Sequence, residues 1–316
     1  MSAIPVICGP TAAGKSALAL RLAERVGAAI LSADSRQLYR GFDIGTAKPT
    51  REERSRVAHF GIDVAAPTER WSAARWADDC ERWLDACAAE GCPPLVVGGT
   101  GFYLRALAEP LFAEPPLDAE RRRALERALD AVPGPELRRW VTALDPERAH
   151  LQRTQLLRAV EVALLTGERI SSWHARTARP PRHQLRYLLV DPGPALAGRI
   201  EARVDAMLAA GWPDEVTALL RSVPDDAPAW KASGYDVLRR HVRGELSRAV
   251  ARERIVVETR QYAKRQRTWF RNQLPTATVV PVDPDAPDAD ALVLAWWRAG
   301  ATGAVPQNAL HAEDAP

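Results

Sequence analysis

The chain has 316 residues, of which 47% are hydrophobic, and a formal net charge of +3 at pH 7. This length can bury a sizeable core, as one large domain with an insertion or as two domains. Because no apolar run approaches the ~20 residues that span a bilayer, and no cleavable signal is recognisable, we expect a cytoplasmic protein without a membrane partner.

The most specific pattern is a strand, a glycine-rich loop and a helix near the start of the chain. The apolar run 4–8 and the periodic residues 17–23 flank a loop made of Gly9, Pro10, Thr11, Ala12, Ala13, Gly14, Lys15 and Ser16. In this context the loop amides and the positive helix end surround a phosphate, Lys15 supplies a point charge, and the Ser16 hydroxyl can reach Mg²⁺. The spacing predicts a polyphosphate site; a plain strand-to-helix turn is the alternative.

A second predicted strand, 28–33, ends in Asp34. A carboxylate at the carboxyl end of a strand beside a phosphate-binding loop lies where open α/β sheets bind ligands, so Asp34 is a candidate acid or base. Its alternatives are a cap of the next helix or a contact to Mg²⁺ through water. The following loop, 41–49, is rich in Gly, Thr and Pro, and such loops often carry function.

Helical periodicity over 72–89 precedes a short buried strand, 94–97, and a second glycine-rich turn at 98–104. This strand does not end in Asp. Because an ATPase or GTPase usually has a metal-organising carboxylate at such a strand end, its absence disfavours both activities.

The middle of the chain reads as an all-helical insertion. A proline-rich hinge, 110–116, precedes predicted helices 118–131, 135–144 and 145–166, the last ending at Gly167. Residues 115–186 hold 14 arginines against nine Asp and Glu side chains. This charge favours a polyanionic partner, although a solvated helical surface explains it almost as well.

The αβ pattern resumes with a strand at 185–190 and a helix at 196–210. This helix carries Arg199 and Arg203 on one face, where they could clamp a diphosphate or pair with Glu201 and Asp205 in solvent. A short strand is predicted at 279–282, a helix at 289–298, and a disordered tail from Ala301.

A long helix, 247–273, presents four cations at steps of four, three and four residues. We call this set the cationic stripe; it consists of Arg260, Lys264, Arg267 and Arg271. A stripe of this kind is usually a solvated face. Four charges of one sign without an interleaved acid repel one another, however, and a bound polyanion would relieve that repulsion.

The chain resembles the tRNA dimethylallyltransferase family, also called tRNA isopentenyltransferases, through four motifs in matching order. They are Gly-Pro-Thr-Ala-Ala-Gly-Lys-Ser at 9–16, Asp-Ser-Arg-Gln-Leu-Tyr-Arg-Gly-Phe-Asp-Ile-Gly-Thr-Ala-Lys-Pro at 34–49, Gly-Gly-Thr-Gly-Phe-Tyr-Leu at 98–104 and Ala-Lys-Arg-Gln-Arg-Thr-Trp-Phe-Arg at 263–271. The resemblance implies an α/β fold with a P-loop-kinase-like parallel sheet flanked by helices. It divides the chain into a catalytic core (1–113 and 185–300), an all-helical insertion domain for tRNA (114–184) and a tail (301–316).

The resemblance also implies the reaction. The loop would hold dimethylallyl diphosphate with Mg²⁺, and the C5 unit would pass to N6 of the adenosine just 3′ of the anticodon, in tRNAs that read codons beginning with U. Carried over by position, Asp34 is the general base, Thr11 places a hydroxyl beside the reacting centre, and Arg203 binds the diphosphate. We expect a monomer.

The tRNA contacts that the resemblance implies fall into three groups, which are the wall of a channel for the flipped base, the insertion, and the surface along the RNA backbone. In that order they are Asp34, Ser35, Arg36, Gln37 and Thr100; Arg123 and Arg158; and Lys231, Gly234, Tyr235, Lys264, Arg265, Arg267 and Arg271. Two other classes remain open. A small-molecule P-loop kinase or an adenylate isopentenyltransferase would share the first two motifs, and a non-catalytic RNA-binding module would not need Asp34 beside the loop.

Overall fold

The computed structural model describes residues 3–109, 115, 117–176 and 182–300. The described residues of 1–108 and 182–316 form one compact unit, and those of 109–181 form a second. Except for residue 115, the hinge predicted at 110–116 lies outside the described residues. The tail predicted from Ala301 also lies outside them.

Strands and helices alternate in the first part of the sheet unit. In chain order they are β1 (Ile4–Cys8), α1 (Lys15–Val26), β2 (Ala29–Ser32), α2 (Arg51–Arg56), β3 (His59–Phe60), α3 (Ala73–Glu90), β4 (Pro94–Gly98) and α4 (Gly101–Ala108). Neither α2 nor β3 was predicted from the sequence. Helix α2 buries no residue and is held at its start by a capping box between Thr50 and Glu53, so it carries no hydrophobic period that could reveal it.

The second unit is helical. Its helices are α5 (Ala119–Asp130), α6 (Gly134–Leu144), α7 (Arg153–Thr166) and α8 (Ile170–Arg176). Residues 145–166 do not form the single predicted helix, because a 3₁₀ turn at Pro146–Arg148 comes first. The carboxylate of Asp145 accepts the backbone N–H of Ser171 (3.0 Å) at the start of α8 and is fixed outside α7.

The sheet unit continues with two strands and five helices. They are β5 (Leu185–Val190), α9 (Leu196–Ala209), α10 (Trp212–Leu219), α11 (Tyr235–Val242), α12 (Arg248–Gln273), β6 (Val279–Val282) and α13 (Ala289–Arg298). The eight-residue helices α10 and α11 were not predicted from the sequence. No helix within the described ranges is both long and apolar enough to cross a membrane.

The six strands form one parallel sheet in the order β3-β2-β4-β1-β5-β6. Strand β1 lies between β4 and β5, and Val6 pairs with Val96 on one side and Tyr187 on the other. Every residue of β1 and β2 is buried, which is why these strands read as continuous apolar runs. The predicted α/β fold with a parallel sheet flanked by helices is confirmed, and the carboxyl ends of β1, β2, β4 and β5 meet along one edge.

Candidate active site

The loop after β1 follows a backbone path that needs its glycines. Gly9 has φ +146°, and a Cβ there would lie 2.1 Å from the carbonyl oxygen of Val190 at the end of β5. Gly14 has φ +94° and directly precedes Lys15, the first residue of α1. The backbone of Ala12 is also left-handed, with φ +63°. The Lys15 ammonium donates to the carbonyl oxygen of Pro10 across the loop (2.6 Å). The loop is thus closed on itself in front of α1.

Two cations and a carboxylate lie close together beside this loop. Burial and, to a smaller extent, the charge of Arg203 lower the pKa of Lys15 to about 8, while Asp34 opposes the shift. Burial likewise lowers the pKa of the Arg203 guanidinium, against the attraction of Asp34. Burial removes the water that would stabilise the charges of these two cations. An anionic ligand such as a phosphate would stabilise them instead, so the arrangement favours binding of an anion.

Asp34 is held in place by its own backbone turn. One oxygen, Oδ1, accepts the N–H of Arg36 (2.8 Å), and no helix begins there, so the helix-cap alternative does not apply. Two tyrosines also feel its charge. Burial raises the pKa of Tyr262 to about 12 and raises that of Tyr103, with Asp34 contributing to both shifts. The half-buried carboxylate therefore has a fixed position beside two tyrosines that stay neutral.

The glycines of the second turn allow close packing against two other elements. A Cβ on Gly98 would lie 2.1 Å from the carbonyl oxygen of Ala33, and one on Gly101 would lie 2.2 Å from the indole of Trp269 in α12. Between them, Thr100 Oγ1 accepts the N–H of Ser35 (3.0 Å). The structure thus brings the ends of β1, β2 and β4 together under α12, with Thr100 and Ser35 in contact.

Comparisons with known proteins identify the family. A family model described as IPP transferase matches residues 37–273, and one described as isopentenyl transferase matches residues 2–62. The chain belongs to the IPP transferase family. The family predicted from the four sequence motifs is confirmed.

Individual relatives of this IPP transferase family cover nearly the whole chain. A tRNA dimethylallyltransferase of Gloeobacter violaceus is 45% identical over 86% of this chain and 90% of its own length. The crystal structure of the tRNA isopentenylpyrophosphate transferase of Bacillus halodurans is 31% identical, with a TM-score of 0.64 over 90% of each chain. A eukaryotic dimethylallyltransferase acting on tRNA, with a TM-score of 0.73 at 24% identity over 89% of this chain and 73% of that one, supports the fold alone.

The side chain of Gln37 makes its hydrogen bonds within the protein. Its Nε2 donates to the carbonyl oxygens of Thr46 (3.2 Å) and Ala47 (3.0 Å), and its Oε1 accepts from the hydroxyl of Ser32 (3.0 Å). Gln37 therefore fastens the loop 41–49 to the end of β2. The contact with RNA expected for its side chain would have to break these bonds.

Tyr235 and Gly234 belong to the core. The Tyr235 side chain is 0% exposed, and its hydroxyl donates to Glu215 (2.6 Å) and accepts the N–H of Gly45 (3.2 Å). Gly234 has φ +85°, and a Cβ there would lie 2.5 Å from the Trp212 ring. The predicted RNA contacts at these two positions do not fit the structure, because both residues pack inward; the exposed neighbour Lys231 remains accessible.

The cationic stripe divides into two kinds of side chain. Arg260 pairs with Glu201 of α9, and Arg267 pairs with Asp191, which directly follows β5. No acid is interleaved within the stripe, but these two arginines are neutralised by acids from elements distant in sequence. Lys264 and Arg271 are exposed, as is Arg265 beside them.

The two acids that were the alternative partners of Arg199 and Arg203 bind other residues. Glu201 binds Arg260, and Asp205 accepts two hydrogen bonds from Arg252 (2.5 and 2.7 Å). Arg199 instead pairs with Asp285 and approaches Gly14 of the loop. Both arginines of α9 therefore lie beside the glycine loop 9–16.

Within the insertion, the two predicted contacts differ in their surroundings. Arg123 on α5 is exposed, whereas Arg158 on α7 pairs with the buried carboxylate of Glu161, which Arg122 also contacts. The Glu161 charge is compensated by these two arginines inside the helical unit. Arg158 therefore contributes to the fold of this unit.

Proposed function

We propose that this protein transfers the dimethylallyl group of dimethylallyl diphosphate to N6 of the adenosine on the 3′ side of the anticodon. The substrates would be tRNAs that read codons beginning with U, and the enzyme would act as a cytoplasmic monomer. The observation that carries the proposal is the meeting of Lys15, Arg203 and Asp34 beside the glycine loop, in a family whose relatives are tRNA dimethylallyltransferases. Polyphosphate binding and proton removal are thereby possible at one place.

The leaving diphosphate would be held by the loop 9–16 and its neighbouring cations. In the transfer, a bond forms between N6 of adenine and C1 of the dimethylallyl group, and the bond from C1 to the diphosphate oxygen breaks with its electron pair. Negative charge therefore grows on the diphosphate. Lys15, Arg203 and the N-terminus of α1 supply the positive potential that stabilises this charge.

The donors at the end of the loop fit a magnesium ion held chiefly by the diphosphate. Ser16, exposed in the first turn of α1, offers one hydroxyl oxygen. Among the described residues, no group of three or more His, Cys, Asp or Glu side chains could form a metal cage. Mg²⁺ commonly takes few protein ligands and completes its shell with phosphate oxygens and water. When bound, it would neutralise charge on the leaving group.

Asp34 is the group proposed to take the proton from N6. An exocyclic adenine amine is a poor nucleophile because its lone pair is delocalised, so a carboxylate within hydrogen-bond reach assists the attack. One oxygen of Asp34 accepts from the Arg36 amide, which fixes the carboxylate and leaves the other oxygen to face a substrate. The Thr11 hydroxyl would lie beside the reacting carbon.

The RNA would approach along the exposed part of α12. A base stacked in the anticodon loop is out of reach, so it must flip into the site, where Ser35, Arg36 and Thr100 would line its channel. The cations proposed to contact the RNA backbone are Lys231, Lys264, Arg265 and Arg271, with Arg123 on the insertion.

Incubation with labelled dimethylallyl diphosphate and Mg²⁺ tests the proposal. Unmodified tRNA, AMP and ATP are offered separately as acceptors. We expect label in tRNA alone, at the adenosine next to the anticodon, and none in tRNA already modified there. Label in AMP would identify an adenylate isopentenyltransferase instead, and transfer of the γ-phosphate from ATP would identify a kinase; either result would refute the proposal.

A further inference from the structure

Gln266 is a buried polar side chain of α12 whose two polar atoms both contact the active-site loops. It is 6% exposed, although Arg265 beside it is exposed. Its Oε1 accepts the backbone N–H of Thr11 (2.8 Å), and its Nε2 donates to the carbonyl oxygen of Gly99 (2.8 Å). The side chain thus bridges the phosphate-binding loop after β1 and the glycine turn after β4.

The glycine turn is shaped to admit this side chain. A Cβ on Gly99 would lie 2.3 Å from Gln266 Nε2, closer than any side-chain carbon can approach. The same Cβ would lie 3.3 Å from the carbonyl oxygen of Gly9. Glycine at position 99 therefore serves the amide bridge directly, since any other residue would displace Gln266 from both partners.

Thr11 is the loop residue whose position the bridge determines. Because its N–H donates to Gln266, this amide is turned toward α12 and is not offered to a phosphate. The direction of an amide N–H fixes the orientation of the adjacent Cα and its side chain. The hydroxyl proposed to lie beside the reacting carbon is consequently placed by a residue 255 positions away in sequence.

We propose that Gln266 is a positioning residue for the transfer reaction, which acts by holding Thr11 and the Gly99 turn at a fixed separation. This inference rests on the proposed function. Reacting groups must be aligned to within about an ångström, and misplacement on that scale lowers rates by up to about 10²-fold. Because α12 also carries the exposed Lys264 and Arg265, the helix proposed to meet the RNA is the one that fixes the loop.

Replacement of Gln266 by methionine removes both hydrogen bonds at similar volume. For Gln266→Met we expect kcat to fall by about 10-fold to 10²-fold. The dissociation constant for tRNA should stay within about 2-fold, because the exposed cations of α12 are untouched. Unchanged kcat in a folded variant would overturn the proposal, and equal losses in kcat and tRNA affinity would assign Gln266 a merely structural role.

A glutamate at the same position gives a second test that does not depend on tolerance of methionine. In Gln266→Glu, an ionised carboxylate can accept from Thr11 but cannot donate to Gly99, whereas a protonated carboxyl can do both. Burial raises the pKa of such a carboxyl, so the donor should return as the pH falls toward about 6. We expect the ratio of variant to wild-type kcat to rise at least several-fold between about pH 8 and pH 6.

Gln184→Glu, at an exposed position before β5, is the matched control and should follow the wild type at every pH. Any pH dependence that the three proteins share cancels in the ratio. A flat ratio for Gln266→Glu would overturn the inference. An inactive wild type toward tRNA would instead refute the proposed function, so the two failures are distinguishable.

Discussion

Separate replacement of Lys264 and Arg267 tests how the cations of α12 divide between RNA binding and folding. Lys264→Gln removes an exposed ammonium, whereas Arg267→Gln removes a guanidinium that pairs with Asp191 and donates to the carbonyl oxygen of Gly193 (2.6 Å). Only side chains that neutralise phosphates release counterions. We therefore expect Lys264→Gln to weaken tRNA binding and its salt dependence, and Arg267→Gln to weaken the fold.

The expected change in tRNA affinity follows from counterion release, and the expected change in stability follows from the exposure of the Arg267–Asp191 pair. One lost contact with single-stranded RNA lowers the slope of log K against log salt by about 0.7, which is about 3-fold in affinity between 50 and 200 mM salt. The Arg267 and Asp191 side chains are 38% and 32% exposed, so solvent screens part of their attraction. Loss of this pair should cost about 1–2 kcal/mol, or a few degrees in melting temperature.

The assay is a titration of an anticodon stem-loop at four salt concentrations, together with thermal unfolding of each variant. Arg248→Gln is the control, because this exposed arginine opens α12 about 24 Å from Lys264 along the helix. The Arg248→Gln variant should change neither the salt slope nor the melting temperature. If Arg267→Gln lowered the salt slope as much as Lys264→Gln and left the melting temperature unchanged, the division of the stripe would be refuted.

Three further predictions concern the active site. Asp34→Asn should lower kcat by roughly 10² or more, because a positioned base is lost, while dimethylallyl diphosphate binding persists; near-normal turnover would remove Asp34 from the mechanism. Burial lowers the pKa of Lys15 to about 8, so this ammonium loses its proton as the pH rises through that value. Calorimetry at about pH 7 and pH 9 should show weaker diphosphate binding, with proton uptake, at the higher pH; equal affinities would contradict the shift. Gly101→Ala adds a carbon 2.2 Å from the Trp269 indole and should cost about 1–3 kcal/mol in thermal unfolding. Gly134→Ala is the control, because nothing lies within 4 Å of the added carbon, and it should not lower the free energy of unfolding.

The parts of the site that lie within one continuous stretch could be predicted from the sequence. The loop 9–16 needs only its own glycines, the strand before it and the helix after it, and all three are local. The strands 185–190 and 279–282 and the helix 289–298 were predicted with the bounds found in the structure. Each is a complete unit of hydrophobic period with clear ends, so few long-range contacts are needed to define it.

Pairs of distant residues could not be predicted, because no local pattern records them. Gln266 reads as one more polar residue of a basic helix, and its role depends on Thr11 at the other end of the chain. Tyr235 reads as an aromatic residue next to a glycine, which suits RNA stacking as well as a core. Its hydroxyl has partners in Glu215 and Gly45 that only the folded chain brings within reach.

Two carboxylates at the same edge of the sheet illustrate why position at a strand end does not decide function. Asp34 follows β2 by two residues and Asp191 follows β5 directly, so both satisfy the rule that ligands bind at the carboxyl ends of parallel strands. Arg267 binds both oxygens of Asp191, so this carboxylate is engaged in a contact within the protein. Asp34 keeps one oxygen on a backbone amide and interacts with Lys15 and Arg203 through their field.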